Sequence, residues 1–264
     1  MSESLLDIRD LEVTYPIKGI GKQPFRALKG VSLDIKPGET VGLVGESGSG
    51  KTTLGRAVLG LAPVTGGSIR YRDKEIGHLH RRQRRALSSE IQVVFQDPYS
   101  SLNPSLTIEQ ILSEPLTARG VDGKAARARV RELLGQVNLP ADTADRLPRE
   151  FSGGQRQRIA IARALALDPN LIVCDEPVSA LDLSTQARVL DLFIEIQERT
   201  GVAYLFISHD LAVVRQIADT VSVLQRGRQV EHGAVAQVFE APQHDYTKQL
   251  LAAIPGASLR EERP

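Results

Sequence analysis

Glycine, lysine and hydroxyl residues are concentrated in one short segment, GESGSGKTT, between residues 45 and 53. The apolar run 41–44 precedes it, and residues 54–59, which have helical apolar spacing, follow it, so the context is strand, glycine-rich turn and helix. Residues without a Cβ let successive backbone N–H groups curl around an anion, and the dipole of the following helix adds partial positive charge there. The full G-x-x-x-x-G-K-T spacing favours a phosphate-binding P-loop over a flexible turn with an incidental lysine.

The predicted P-loop assigns tasks to its polar side chains. Lys51 should reach the β- and γ-phosphates of a nucleoside triphosphate, and the hydroxyl of Thr52 should ligate Mg²⁺. The residues expected to contact the nucleotide in this segment are Gly45, Glu46, Ser47, Gly48, Ser49, Gly50, Lys51, Thr52 and Thr53.

Two adjacent carboxylates, Asp175 and Glu176, follow the continuous apolar run 171–174. Such a run is typical of a central parallel strand with its charge at the carboxyl edge. In P-loop enzymes an aspartate at this place holds Mg²⁺ against the phosphate oxygens, and the neighbouring Glu176 could accept a proton from the attacking water. Many strands end in Asp-Glu, so it is the P-loop upstream that makes this pair informative.

Gln96 and His209 are each expected to terminate a strand, formed by the apolar segments 91–95 and 203–207. Ligands gather at the carboxyl ends of strands in open α/β sheets, so both side chains are predicted to point at the γ-phosphate. Gln96 could ligate Mg²⁺ or water, and His209 could hydrogen-bond the γ-phosphate and orient Glu176. A lone histidine is more often a satisfied structural residue, and only the rest of the pattern favours a functional role.

Two further places have both a functional and a structural interpretation. Tyr15 ends an alternating strand and borders a loop, which favours stacking on a nucleotide base over a place in the core. The segment Ser152, Gly153, Gly154 and Gln155 starts a helix and offers backbone N–H groups and a hydroxyl to an anion, although taken alone an ordinary helix cap by Ser152 is the safer interpretation. Two such helix starts of one sheet cannot easily enclose one phosphate, so the second is expected to bind a nucleotide held by another copy.

The elements that must position these residues predict an α/β fold. Residues 5–15 and 27–35 alternate apolar and polar side chains, which indicates a small antiparallel β subdomain at the N-terminus. Strands and helices then alternate, which is typical of a mostly parallel sheet with flanking helices, the core of a P-loop NTPase. Helical spacing from about 101 to 150 predicts a helical subdomain, and a polar tail with one short helix is expected from about 242 to 264. The whole chain, 1–264, is expected to form a single domain.

Composition limits the class of protein. The 264 residues are 41% hydrophobic and 25% charged with a formal net charge of +1, which are globular averages and give no electrostatic reason to expect nucleic acid. The densest basic run, residues 80–85, is interpreted as a solvated helix face because no aromatic residues interleave it. The single cysteine, Cys174, excludes an internal disulfide framework. The lack of a long apolar run or a signal-peptide core predicts a chain kept in the cytoplasm.

Taken together, the motifs resemble the nucleotide-binding subunit of an ABC transporter over nearly the whole chain. The resemblance rests, in chain order, on residues 45–53, Gln96, 152–155, 171–176, 179–182 and His209. It implies a head-to-tail dimer in which each ATP, with Mg²⁺, lies between one P-loop and the partner's segment 152–155. It also implies that Tyr15 stacks on adenine and that Glu176 is the general base. Asp182 would contact the opposite subunit, and His209 would sense the γ-phosphate.

Finer matches resemble the dipeptide, oligopeptide and nickel importers. They are the segments 95–104, 150–158, 174–182 and 246–251. The resemblance implies a second ATPase subunit, identical or a paralogue, two membrane-spanning permease subunits gripped by the helical insertion, an extracytoplasmic solute-binding protein, and a place at the cytoplasmic face of the membrane. Asp245 stands where that family usually has proline. No cysteine-containing extension follows, so no iron–sulfur cluster is expected, and the short tail slightly favours compact members such as the nickel type.

These expectations combine into an ATPase subunit of an importer for di- or oligopeptides, with nickel or another small solute as the alternative. A soluble ABC ATPase acting on ribosomes or nucleic acid would usually carry two modules or a long coiled-coil insertion, and the sequence shows neither. A P-loop kinase would have no use for the segment 152–155. No nucleic-acid partner is therefore expected.

Overall fold

The computed structural model of the protein describes residues 4–17, 19, 23–97 and 101–253. These described residues form two compact units, one drawn from residues 1–86 and 203–264 and the other from residues 87–202. Residues 98–100, which belong to the segment 95–104 that resembles the importers, and the predicted tail beyond Ala253 lie outside the described residues.

The secondary structure alternates strands and helices along most of the chain. The strands are β1 (Leu6–Tyr15), β2 (Phe25–Ile35), β3 (Thr40–Val44), β4 (Gly66–Tyr71), β5 (Lys74–Glu75), β6 (Ile91–Val94), β7 (Leu171–Asp175), β8 (Ala203–Ile207), β9 (Thr220–Gln225) and β10 (Arg228–Ala234). The described α-helices are α1 (Lys51–Val58), α2 (Arg81–Leu87), α3 (Ile108–Thr117), α4 (Gly123–Gln136), α5 (Gly153–Leu165), α6 (Leu183–Thr200), α7 (Leu211–Ile217), α8 (Val235–Glu240) and α9 (Asp245–Ala252). Short 3-10 segments cover Ala141–Asp145 and Pro148–Glu150.

The first unit contains an antiparallel sheet in the order β2-β1-β4-β5. The fully buried side chains of β1 are those of Leu6, Ile8, Leu11 and Val13. An irregularity around Asp10, whose φ is +47°, lies between the two pairs, and such a bulge shifts the alternation by one residue so that both pairs face the core. β1 ends with Tyr15 opposite Phe25 of β2. The predicted N-terminal antiparallel sheet is confirmed, and the unpredicted strand β5 extends it.

The same unit contains four neighbouring strands in the order β10-β9-β3-β8. β9, β3 and β8 run parallel, and β10 is antiparallel to β9. β3 and β8 are buried along their whole length, as expected of parallel strands covered on both faces. Leu43 lies opposite Ile207, so Gly45 and His209, each two residues further on, lie at the same carboxyl edge.

The second unit contains the parallel strands β6 and β7 and the helices α3 to α6. Val94 lies opposite Cys174, so Gln96 and Glu176, which follow these strands by two residues each, also share one edge. Helices α3 and α4 lie within the range of about 101 to 150 for which helical spacing predicts a helical subdomain.

Some boundaries differ from the sequence-based expectations. β8 covers Ala203–Ile207, the segment predicted for it, and His209 lies in the turn that follows. β6 ends at Val94, so the prediction that Gln96 terminates this strand was wrong. The apolar pattern is misleading here because Phe95 continues it beyond the last paired residue while being 39% exposed. α8 was not predicted, and α9 is the one short helix expected after about residue 242. None of the helices in the described part of the chain is long and apolar enough to cross a membrane.

Candidate nucleotide site

The P-loop connects the end of β3 with the start of α1 and depends on glycine conformations. Gly45, Gly48 and Gly50 have φ angles of +145°, +77° and +109°, a region that strains a residue with a Cβ. A Cβ on Gly45 would also lie 2.1 Å from the carbonyl oxygen of Leu224, so no side chain fits there. A backbone that turns in this way can aim successive N–H groups at one anion in front of α1.

Lys51 is the first residue of α1 and is only 5% exposed. Its ammonium group donates to the carbonyl oxygens of Gly45, at 2.6 Å, and of Glu46, at 2.9 Å. An ammonium group is buried without a large cost only when it is hydrogen-bonded or paired, and these carbonyls hold it inside the loop. Thr52 and Thr53 follow on the first turn of α1 and are half-buried.

Two supports from the C-terminal part of the chain contact the P-loop. In the turn between β9 and β10, the N–H of Gly227 donates to the carbonyl of Ser49 and its carbonyl accepts from the N–H of Lys29, both at 2.8 Å. The hydroxyl of Tyr246 accepts from the N–H of Glu46 at 3.0 Å. Sequence reasoning missed both supports because the partners are far apart in the chain, and no local pattern reports such contacts.

The second unit brings Gln96 and Glu176 together. The amide of Gln96 donates to the carboxylate of Glu176, with 3.2 Å between Nε2 and Oε2. Glu176 has φ +48°, and its carbonyl accepts from the N–H and the hydroxyl of Ser179 at 3.3 and 3.1 Å. Asp175, the last residue of β7, is half-buried. Carboxylate and amide oxygens of this kind can ligate a hard cation, and a positioned carboxylate can accept a proton.

Cys174 precedes these carboxylates in β7 and is fully buried. Burial raises the pKa of its thiol well above the ordinary value, and the charge of Asp175 raises the pKa further. The thiolate, which is the reactive form, is therefore scarce at neutral pH, so Cys174 is unsuited to act as a nucleophile or metal ligand.

The helix start at Ser152 is capped as the structural interpretation predicts. The hydroxyl of Ser152 accepts from the N–H of Gln155 at 3.3 Å, and the side chain of Gln155 accepts from the N–H of Ser152 at 3.0 Å, which forms a reciprocal capping box. A Cβ on Gly154 would lie 2.3 Å from Cγ2 of Thr185, so this glycine is needed for the close approach of α5 and α6. Ser152 and Gln155 are exposed, which leaves the positive end of α5 accessible to an anion.

Asp182 caps the next helix, α6. Its carboxylate accepts from the N–H of Thr185 at 3.0 Å and from the hydroxyl of Ser184 at 2.7 Å. The hydrogen bond from Ser184, with those from Thr185, holds the pKa of Asp182 far below its usual value, so the side chain is ionised at neutral pH. Leu183, the next residue, is 82% exposed, a degree of exposure unusual for a leucine.

Tyr15 and His209 are both placed by strands of the first unit. Tyr15 is half-buried at the end of β1, opposite the exposed ring of Phe25. His209 is exposed in the turn after β8. That turn is closed by Ser208 and Asp210, since the N–H of Asp210 donates to the hydroxyl of Ser208 at 3.0 Å. The roles assigned to Tyr15 and His209 stay predictions.

Comparison with known proteins identifies the family. A family model described as ABC transporter matches residues 28–179. The oligopeptide transport ATP-binding protein OppF of Lactococcus lactis is 48% identical over 264 residues, which cover 98% of this chain and 82% of that protein. The chain belongs to the ABC transporter family. The glutathione import ATP-binding protein GsiA of Escherichia coli is 49% identical over 99% of this ABC chain, which corresponds to 43% of GsiA.

Solved structures of the family agree with the architecture. The dimeric ATP-binding cassette MJ0796, bound to ADP and Pi, has a TM-score of 0.78 at 31% identity, with 87% of this chain and 98% of that chain covered. CbiO1 of Clostridium perfringens, part of the ABC transporter complex cbiONQ, has a TM-score of 0.82 at 27% identity, with 98% and 99% covered. The predicted fold class, a P-loop NTPase core with an antiparallel sheet and added helices, is confirmed, and so is the assignment of the chain as an ABC-type ATPase.

Proposed function

We propose that this chain is the ATP-hydrolysing subunit of an importer for oligopeptides and other short peptides. The observation that carries the proposal is the 48% identity to the Lactococcus oligopeptide transport protein, since the match extends over 98% of this chain and 82% of that protein. The similarity to the glutathione import protein supports the same substrate class, because glutathione is itself a tripeptide.

The P-loop is the proposed site for the phosphates of ATP. Its backbone N–H groups and the ammonium group of Lys51 would neutralise the phosphate charge, and such preorganised donors are the main source of catalysis in phosphoryl transfer. The positive φ angles of Gly45, Gly48 and Gly50 and the buried position of Lys51 support this assignment. Tyr15, at the end of β1, would stack on the adenine.

The oxygen donors proposed to hold Mg²⁺ are the hydroxyl of Thr52, the carboxylate of Asp175 and the amide oxygen of Gln96. These are hard oxygen ligands of the kind that this ion binds. Since the amide nitrogen of Gln96 is turned to Glu176, the amide oxygen is the atom proposed to face the ion. When bound, Mg²⁺ supplies positive charge that stabilises the charge developing on the phosphate oxygens.

Glu176 is the proposed general base. Its carboxylate would accept the proton of the attacking water, and the hydrogen bond from Gln96 would hold the carboxylate in one orientation while it does so. His209 would hydrogen-bond the γ-phosphate and orient Glu176.

The proposed assembly pairs this chain with a second ATPase subunit, identical or a paralogue. Ser152, Gly153, Gly154, Gln155 and Asp182 would face the nucleotide held by that partner. Two permease subunits and an extracytoplasmic solute-binding protein would complete the importer, with this chain at the cytoplasmic face of the membrane. The exposed side chains of Ser152 and Gln155 support this arrangement.

The Glu176→Gln variant tests the ATPase part of the proposal. Glutamine keeps the size of the side chain but cannot take up a proton, so we expect ATP binding within about twofold of the parent and turnover lowered at least about 100-fold. Glu198→Gln, the same change at an exposed position of α6, is the matched control and should hydrolyse ATP normally. Near-normal turnover by Glu176→Gln would remove Glu176 from this role.

Uptake by cells tests the substrate class. In a strain that lacks the encoding gene, we expect the uptake of labelled oligopeptides to fall and that of Ni²⁺ to stay unchanged, with recovery when the parent chain is restored but not with Glu176→Gln. Loss of Ni²⁺ uptake with normal peptide uptake would instead assign the chain to a nickel importer.

A further inference from the structure

Tyr246, the second residue of α9, contacts the P-loop from the C-terminal part of the chain. It is 4% exposed, and its hydroxyl accepts a hydrogen bond from the N–H of Glu46 at 3.0 Å, across 200 residues of sequence. Burial raises the pKa of Tyr246 and outweighs the opposing effect of the hydrogen bond from the N–H of Glu46, so the hydroxyl stays protonated throughout the neutral range. The hydrogen bond ties the second residue of the P-loop to the start of α9.

One peptide group links this tyrosine to the P-loop lysine. The N–H of Glu46 and the C=O of Gly45 belong to the same planar unit. The N–H donates to Tyr246, and the carbonyl oxygen accepts from the ammonium group of Lys51 at 2.6 Å. Because the unit is rigid, holding its N–H end fixes the direction of its oxygen, and hence the place of the ammonium group.

The start of α9 is held firmly enough to act as a support. Tyr246 packs in the core cluster that also contains Val44, the last residue of β3 before the loop. Nδ1 of His244 caps the helix by accepting from the N–H of Tyr246 at 3.1 Å. The N–H of His244 in turn donates to the carboxylate of Glu231 in β10, also at 3.1 Å. The hydroxyl of Tyr246, which contacts the P-loop, is therefore held in place through the anchoring of α9 to β10.

We propose that Tyr246 is a positioning residue for the P-loop, which acts through the Gly45–Glu46 peptide group on the ammonium group of Lys51. The inference rests on the proposed function in that Lys51 binds the phosphates of ATP. A lysine that is aligned before the nucleotide arrives has less freedom to lose on binding, so the preorganised loop binds ATP more tightly. The C-terminal helix thus contributes to nucleotide affinity without touching the nucleotide.

The Tyr246→Phe variant removes only the hydroxyl. We expect ATP affinity, measured by isothermal titration calorimetry, to fall about fivefold, the effect of one net hydrogen bond. Deuterium uptake by the peptide that spans the P-loop should rise, because the N–H of Glu46 loses its acceptor. Tyr71→Phe, the same change at a buried tyrosine of β4, is the matched control and should bind ATP like the parent.

A double-mutant cycle separates positioning from a merely structural role. If Tyr246 acts through Lys51, Tyr246→Phe should change ATP affinity less than twofold in a Lys51→Ala background. A fivefold loss in both backgrounds would mean that Tyr246 acts independently of the lysine, and unchanged affinity of Tyr246→Phe in the parent background would mean that it does not act at all. Either result overturns the proposal.

A second variant keeps the test decisive if Tyr246→Phe does not fold. Glu231→Gln weakens the anchor of His244 without altering the tyrosine, so it should lower ATP affinity by about twofold in the parent background and not in the Lys51→Ala background. Equal ATP affinity of Glu231→Gln and the parent would contradict the proposal that α9 supports the P-loop. A parent chain that fails to bind ATP at all would contradict the proposed function instead, so the two failures are distinguishable.

Discussion

Glu176 has a backbone φ of +48°, in the left-handed region where a side chain costs about 1–2 kcal/mol relative to glycine. Glu176 directly follows the buried strand β7, and its carboxylate accepts a hydrogen bond from the side chain of Gln96. Glycine would suit this backbone better than glutamate does. The proposed role of the carboxylate as general base would account for a glutamate at this position.

Replacing Glu176 with glycine separates these two contributions. We expect turnover to fall at least about 100-fold because the base is lost, while the free energy of unfolding is unchanged or rises by up to about 1 kcal/mol because the strain is relieved. Urea titration and phosphate release measure the two quantities. Asn138→Gly is the control, since Asn138 also has a positive φ, +56°, and this change should keep full activity. A clearly lower free energy of unfolding for Glu176→Gly would show that the backbone at Glu176 is not strained.

At the scale of elements, the features that could be predicted from the sequence are those whose residues lie in one contiguous segment. The P-loop between β3 and α1 was predictable because strand, glycines and helix are contiguous, and the carboxylates after β7 were predictable because the apolar run ends there. The contacts of Gly227 and Tyr246 with the loop were not predictable, since they join segments that are far apart in the chain. Strand ends were misplaced where an apolar residue, Phe95, continues the pattern outside the ladder.

Because the carboxylate of Glu231 in β10 anchors α9, the stabilisation from this contact is expected to depend on pH. Burial would raise the pKa of Glu231, but the hydrogen bonds that its carboxylate accepts, including those from the N–H groups of Gln243 and His244, outweigh burial and lower the pKa. Because the folded pKa lies below the unfolded value of about 4.3, the stabilisation is fully present above that value and is lost as pH falls through the folded pKa.

We therefore expect Glu231→Gln to lower the free energy of unfolding by about 1 kcal/mol at pH 7, a figure that allows for the solvent exposure of the carboxylate. The difference from the parent should shrink as pH falls below about 4. Urea titrations of both chains between pH 7 and pH 3.5 measure it. Glu240→Gln, a change at an exposed residue of α8, should show no such trend. A stability difference between Glu231→Gln and the parent that grows towards low pH would contradict the prediction.

At the scale of the whole molecule, the proposed function gives the chain two phosphate-binding segments, the P-loop in the first unit and the helix start at Ser152 in the second. A head-to-tail pair of chains would use both, since each nucleotide would take the P-loop of one chain and the helix start of the other. In a symmetric pair the two composite sites are equivalent. The side chains that would complete the partner's site, Ser152 and Asp182, are exposed, as this arrangement requires.

Mixing two inactive variants tests this pairing. Lys51→Ala removes the cation of the P-loop and Ser152→Arg obstructs the helix start, so each variant alone should hydrolyse almost no ATP. In an equal mixture half of the pairs contain one chain of each kind, and such a pair has one intact composite site of two, so phosphate release should recover to about a quarter of the parent value. A mixture of Lys51→Ala with the double variant Lys51→Ala/Ser152→Arg contains no intact P-loop and should stay inactive. Full activity of Ser152→Arg on its own would mean that a single chain completes its own site, whereas two inactive variants that fail to complement each other would exclude the head-to-tail exchange between copies.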